Sequence, residues 1–214
     1  MQFANTLAVA ASFIAAVSSA SVPMERRRVE DTNPATNPAT NPATNTKPPP
    51  THFQIMALRP SSPVHYSLFQ AARGNIFLNL PNQNATCDNG QTIVQEKAAT
   101  FALNPDGGLY LYRRSPSPQQ IYADLSGMGQ GKLGYTIGAQ PPPRNAEETG
   151  WAVGQDGQLT LRGFGFIACP GAIENSWSVW MDTGRPNPGG NAGCVGVPIS
   201  LSEVKEPSSC DYTF

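Results

Sequence analysis

Downstream of residue 70, apolar and polar positions alternate in many short runs: Ile76, Leu78 and Leu80; Leu109 and Leu111; Ile121, Ala123 and Leu125; Leu133, Tyr135 and Ile137. The same spacing returns at Leu159 and Leu161, at Phe164 and Phe166, at Trp177, Val179 and Met181, and at Val195, Val197 and Ile199. Period two puts every second side chain on one face of an extended chain, so these runs predict half-buried strands. All 20 glycines lie between Gly74 and Gly196. Glycine best tolerates a positive φ, and at this density it supplies the turns between short antiparallel strands. Within this region residues 91–99 alone suit a short helix.

A weak internal repeat supports a fold built of hairpins. Phe101 to Leu111 and Trp151 to Leu161 share the order aromatic, Ala, aliphatic, two variable residues, Asp-Gly, one variable residue, then Leu-x-Leu. Asp-Gly supplies left-handed turn geometry, and the flanking alternation sends the large side chains of both strands to one side. Tyr66 to Leu68 followed by Gly74 to Leu78 reads as a looser third copy with a longer turn. The predicted class is all-β: a single compact antiparallel β-barrel or sandwich built of short hairpins, with a β-trefoil as the alternative.

The first fifty residues follow other rules. Phe3 to Val17 is mostly apolar and uncharged and leads to Ser18-Ser19-Ala20, small residues at the positions a signal peptidase reads, so residues 1–20 read as a secretory signal peptide. The apolar run is shorter than the roughly 20 residues a membrane span needs, and with no apolar tail at the other end the sequence predicts no membrane anchor. Residues 21–51 read as a disordered, Pro- and Thr-rich arm. Three copies of Asn-Pro-Ala-Thr run from Asn33 to Thr44, Pro48 to Pro50 follow, and no apolar side chain larger than Ala stands between Thr32 and Phe53. Such a segment cannot bury enough surface to offset its conformational entropy. Its Thr residues beside Pro have the context of O-mannosylated or mucin-like stalks. Glu25-Arg26-Arg27-Arg28 offers a dibasic processing site, which would make residues 21–28 a short pro-segment. The folded domain is predicted over residues 52–214.

Charge and cysteine content narrow the function. With 14 Lys and Arg against 15 Asp and Glu, the chain lacks the cationic excess of a nucleic-acid binder. Cys87, Cys169, Cys194 and Cys210 are an even set in a chain with a secretory leader, which predicts two disulfides with three possible connectivities. Cys169–Cys194 with Cys87–Cys210 is favoured, because the first bridge would tie a Gly- and Pro-rich loop to the strands. No CxxC occurs and His52 and His65 are the two histidines, so no metal site is expected. Asn84-Ala85-Thr86 is the one N-x-[S/T] sequon in the chain, which makes Asn84 the candidate N-glycosylation site.

Catalytic motifs do not survive inspection. Gly129-Gln130-Gly131-Lys132-Leu133-Gly134 fits the dinucleotide fingerprint, but that chemistry needs a helix N-terminus behind the glycines, and Tyr135 to Gly138 followed by Pro141 to Pro143 forbids a helix. No GxSxG elbow supports a Ser-His-Asp triad. A glycosidase needs two carboxylates about 5–10 Å apart; Asp124, Glu147, Glu148, Asp156, Glu174 and Asp182 are candidates in principle, although Asp156 has a turn role. No cofactor is implied. Trp151 and Trp177 read as core residues, whereas Trp180, three positions beyond Trp177, faces the other side of its strand and is the candidate for stacking on a sugar.

Several segments together resemble a known family. Asn84-Ala85-Thr86-Cys87-Asp88, Leu109-Tyr110-Leu111-Tyr112, Ser126 to Thr136, Gly138-Ala139-Gln140-Pro141, Ile167-Ala168-Cys169-Pro170 and Trp177-Ser178-Val179-Trp180 are similar to the PhiA cell-wall proteins of filamentous ascomycetes. The resemblance runs from about Phe53 to the C-terminus, and Ser126-Gly127-Met128-Gly129-Gln130-Gly131-Lys132 is its most specific block. It implies a secreted, non-enzymatic wall glycoprotein linked to phialide and conidium formation and to stress protection, with relatives known as allergens. Partners would be wall polysaccharides or wall proteins. The Asn-Pro-Ala-Thr arm departs from that pattern. The residues by themselves leave two other classes open, an extracellular carbohydrate-binding module and, third, a secreted glycoside hydrolase.

Overall fold

A computed structural model describes residues 50–88, 97–138 and 140–214. The expected signal peptide, the repeat arm, the Arg28 processing site and most of the helix expected at 91–99 lie outside the described residues. Among the described residues sixteen short strands carry the fold. In chain order they are β1 (His52–Ala57), β2 (Gln70–Ala72), β3 (Asn75–Leu78), β4 (Thr86–Cys87), β5 (Phe101–Leu103), β6 (Leu109–Leu111), β7 (Gln119–Asp124) and β8 (Lys132–Tyr135). There follow β9 (Ala146–Glu147), β10 (Trp151–Val153), β11 (Leu159–Leu161), β12 (Phe166–Cys169), β13 (Trp177–Met181), β14 (Val195–Val197), β15 (Ile199–Glu203) and β16 (Cys210–Asp211).

The principal hydrogen-bonded path is β14-β12-β13-β3-β8-β7-β6-β5-β1-β15, all antiparallel, with β2 added to β3 and β9 to β7. Two places turn this path into two facing layers. Within β7, Gln119 and Gln120 pair with β6, whereas Ile121 to Asp124 pair with β8, so one strand serves both layers. At the far end Pro198 alone separates β14, which pairs with β12, from β15, which pairs with β1. Proline has no N–H to donate, so the ladder stops there and the chain changes layer. The result is sandwich-like, without barrel closure and without the threefold plan of a trefoil.

Alternation produced the core. Ile76, Leu78, Leu109, Leu111, Ile121, Tyr135, Leu159 and Leu161 are each no more than 2% exposed and join Phe53, Ile55, Phe69 and Phe101 between the layers. Phe164 breaks the pattern expected for it: it is 38% exposed, because a two-residue turn at Arg162-Gly163 precedes it and turns it out of the strand series. The repeat appears as β5–β6 and β10–β11 in one register, Phe101 opposite Leu111 and Trp151 opposite Leu161. The third copy is differently built. Its turn is two residues, Arg73-Gly74 with φ 49° and 68°, joining β2 to β3, while Leu68 bridges Met56 of β1.

Glutamine side chains, Gln70 and Gln119 buried and Gln158 half-buried, close gaps between strands. Gln70 donates to the Leu80 carbonyl and accepts from the Leu80 N–H, at 2.8 and 2.7 Å. Gln119 makes the same two bonds with Tyr212, and Gln158 with Ile199. A carboxamide has the donor and acceptor of a peptide unit, so each clamp continues a ladder where the backbone does not.

Candidate functional site

Trp180 lines a cleft beside the Ser126 to Gly131 loop. On β13, Val179 and Met181 point into the core at 2% and 0% exposure, so the ring of Trp180 lies on the opposite side of the strand. Its Nε1–H donates to Ser178 Oγ, 3.0 Å away, fixing the plane of the indole. Lys132 of β8 stands opposite Trp180 in the ladder, and Asp124 of β7 stands opposite Lys132. One row across three strands thus presents a ring, an ammonium and a carboxylate. Lys132 Nζ lies 5.1 Å from the Trp180 ring centroid, within cation–π range, and donates to Asn75 Oδ1 at 2.6 Å. Burial pulls the Lys132 ammonium below its ordinary pKa.

Two loops finish the walls. The Ser126 to Gly131 loop is tied by side chains at its mouth: Asp124 Oδ1 accepts from the Ser126 N–H and Ser126 Oγ from the Gly129 N–H. Gly131 (φ 91°) lies directly against the backbone of Met181, whose N–H it accepts at 2.8 Å, and a side chain there would collide with Met181. The second loop, between Cys169 and Cys194 and beyond β13, crosses Trp180 at Gly189. The Gly189 N–H donates to Gln130 Oε1 at 2.9 Å, and a β-carbon at Gly189 would stand 2.6 Å from the indole edge. The cleft has a volume of about 300 Å³ and is lined further by Tyr122, Met128 and Pro143. Met128 is 89% exposed at the rim. Burial, and secondarily the Asp124 carboxylate, push the Tyr122 phenol above its ordinary pKa, so it remains a neutral hydroxyl.

Such a lining suits an uncharged, polyhydroxylated ligand. An aromatic face takes C–H groups, while a hydroxyl, an ammonium and a carboxylate of balancing charge take hydroxyls. Asp124 is the one carboxylate on this cleft, whereas glycoside hydrolysis needs a pair. Elsewhere, Glu147 pairs with Arg162 at 2.7 Å, and Asp156 Oδ1 accepts from the Gln158 N–H in its turn. The sequence alone does not mark Lys132, Tyr122 or Met128 as cleft-lining residues. The β7–β8 hairpin makes the Asp124–Lys132 pairing readable, but the pairing of Lys132 with Trp180 joins residues far apart in the chain.

The remaining predicted site residues are placed as follows. The glycine-rich block that mimics a dinucleotide fingerprint runs into strand β8 rather than a helix. Cys87 is bonded to Cys210 and Cys169 to Cys194, and no cysteine is free. Cys87–Cys210 sits where β4 pairs with β16 and fastens the last segment of the chain. Trp151 is 3% exposed, and Trp177 is partly buried against the same core. Asn84 is exposed in a left-handed conformation (φ 52°), its N–H donating to Asn82 Oδ1. Among the described residues no helix is long and apolar enough to cross a membrane.

Residues 53–213 match the family described as PhiA-like secreted protein. "Cell wall protein phiA" of Aspergillus fumigatus is 49% identical over 162 residues, 76% of this chain and 85% of that one. The Aspergillus niger protein of the same name is 46% identical over 161 residues, covering 75% and 85%. That of Emericella nidulans is 43% identical over 165 residues, covering 77% and 87%. No solved structure matches. With its all-β domain spanning the matched segment, the chain belongs to the PhiA-like secreted protein family and is a secreted protein of the cell wall.

Proposed function

We propose that the chain is a non-enzymatic structural glycoprotein of the fungal wall, held by contact between its Trp180 cleft and wall polysaccharide, and that it acts in phialide and conidium formation and in protection from stress. The observation that carries this reading is the match over the folded domain to relatives named for the cell wall. The developmental and protective roles rest on the family resemblance. All four cysteines are paired within the chain, which favours attachment without intermolecular disulfides. The exposed Asn84 is the proposed N-glycan site, and an Asn84→Gln variant should lose the mobility shift that a glycosidase specific for N-glycans produces in the native protein. Deletion of the gene should reduce normal phialides and conidia. Normal conidiophores together with unchanged wall resistance would refute the developmental reading.

The rival, a carbohydrate-binding module without structural duty, is favoured by the cleft geometry alone. It predicts that purified protein binds isolated polysaccharide while walls lacking it keep normal strength. In either reading Trp180→Ala should reduce retention on isolated β-glucan or chitin, and unchanged retention would remove the stacking role.

A further inference from the structure

We propose that a second groove, built around Phe164, is a binding site for a neutral polysaccharide chain and extends the Trp180 cleft into a two-subsite track. This rests on the wall-polysaccharide reading above. The groove has a volume of about 560 Å³ and runs between the β10–β11 hairpin and the Val197-Pro198 corner.

Its aromatic platform stands on a tight turn. Leu161 and Phe164 exchange both backbone hydrogen bonds, at 3.1 and 2.9 Å, around a turn whose two central residues, Arg162 and Gly163, have φ of 51° and 85°. This is type I′ geometry, the tight hairpin turn that leaves little slack. An apolar ring held in water on such a turn, two residues from the buried Phe166, is a preorganised contact that loses little entropy on binding.

The polar groups around the ring match a pyranose. Asp156 and Asp182 each use Oδ1 to accept a backbone N–H of their own turns, at 3.1 Å in both cases, and retain Oδ2 as a further acceptor for sugar hydroxyls. Arg59, exposed on the groove wall, supplies donors. Two carboxylates against one guanidinium disfavour a polyanion, and no cluster of three or more acidic, His or Cys ligands fit for a metal ion occurs among the described residues. Gly196 leaves the floor open beside Asp182, since a β-carbon there would lie 4.0 Å from Asp182 Oδ2.

Continuity with the first cleft comes from β13. Asp182 follows Trp180 by two residues, so the two side chains leave the same side of the strand about 7 Å apart. The Asp182 N–H still donates to the Gly165 carbonyl at 2.9 Å, which carries the ladder from one cleft to the other. Linked subsites favour long ligands over short ones, because the second contact is made intramolecularly.

The test is calorimetric titration of the purified full-length protein with β-1,3-gluco-oligosaccharides and chito-oligosaccharides of two and six units. Phe164→Ala and Asp182→Asn should weaken hexamer binding about tenfold or more while dimer binding at the Trp180 cleft is kept. Phe164→Tyr should restore hexamer affinity, and circular dichroism should show each variant folded. Wild-type affinity for the hexamer in folded Phe164→Ala and Asp182→Asn would overturn the second groove and leave the Trp180 cleft standing. Failure of the native protein to bind any of the sugars would overturn the polysaccharide reading on which the track rests.

Discussion

The hairpins β5–β6 and β10–β11 share a sequence pattern, a register and a turn, yet have different neighbours. In both, the fourth residue accepts the N–H of a left-handed glycine: Asn104 from Gly107, and Gly154 from Gly157, each at 3.0 Å. In both, the Asp side chain accepts the N–H two residues on, at 3.1 Å. This is the three-residue loop of a type I turn followed by a left-handed glycine. But β5 and β6 have β1 and β7 on their outer edges, whereas β10 and β11 form a two-stranded sheet of their own. The second hairpin is held by side chains instead. Trp151 stacks on Phe166 at 6.3 Å, Leu159 and Leu161 are buried, and Gln158 clamps the backbone of Ile199. Local sequence therefore determines the hairpin and its apolar face, and distant strands decide whether it becomes sheet or the wall of a groove.

If burial rather than sheet membership stabilises both hairpins, Phe101→Ala and Trp151→Ala should cost alike, about 3–5 kcal/mol each by chemical denaturation. A Trp151→Ala cost below about 1 kcal/mol would show that the second hairpin is a loose appendage. The turns should then differ. Gly107 (φ 80°) has the Gly150 nitrogen 3.1 Å from where a β-carbon would stand, while Gly157 (φ 75°) has nothing within 4 Å. Gly157→Ala should cost about 1–2 kcal/mol from left-handed strain alone. Gly107→Ala should cost at least about 1 kcal/mol more, and equal losses would contradict the close packing of the two hairpins at Gly107. Next in size is Gln158→Ala, which should cost about 1–2 kcal/mol through its two bonds to Ile199. The equivalent residue of the first hairpin, Gly108, has no side chain to lose.

The smallest difference is in alkaline solution. Tyr110 in the first hairpin corresponds to Thr160 in the second, and its phenol is raised above 10.0 by burial first and then by Asp106 and Glu148. Tyr135 is raised further by burial while donating to the Thr213 carbonyl. A phenol whose folded pKa exceeds its unfolded value contributes stability that is complete below pH 10 and is lost as pH rises through the folded value. Denaturation midpoints should therefore be insensitive to these groups at neutral pH and fall above pH 10. Tyr135→Phe should flatten that fall, Tyr110→Phe should do so less, and a decline of the same steepness in both variants would refute the assignment.

What could be read from the sequence follows the range of the interactions. Asp-Gly turns and period-two runs are local, so the repeated hairpins and most of the core were legible. Strand β12 was only half visible, because Phe166 to Cys169 are all buried between β13 and β14 and no alternation remains. Strand β1 does alternate, through Phe53, Ile55 and Ala57, but its partners β5 and β15 lie far along the chain and no turn marks the pairing. Phe164 shows the converse, a period-two position that its turn exposes. The candidate site divides the same way. Trp180 is recognisable from its spacing to Trp177, whereas Lys132, Tyr122 and the covering Gly189 join it only through pairing between distant segments.

Attachment to the wall can be tested by fractionation. Isolated walls should be extracted with hot detergent, with and without a thiol reductant, and the protein quantified in walls, medium and cytosol. With every cysteine bonded inside the chain, the protein should be found in walls, be released by detergent alone and carry no alkylatable thiol. Release that requires reductant, or recovery from the cytosol with free thiols, would contradict a wall protein held by non-covalent contact.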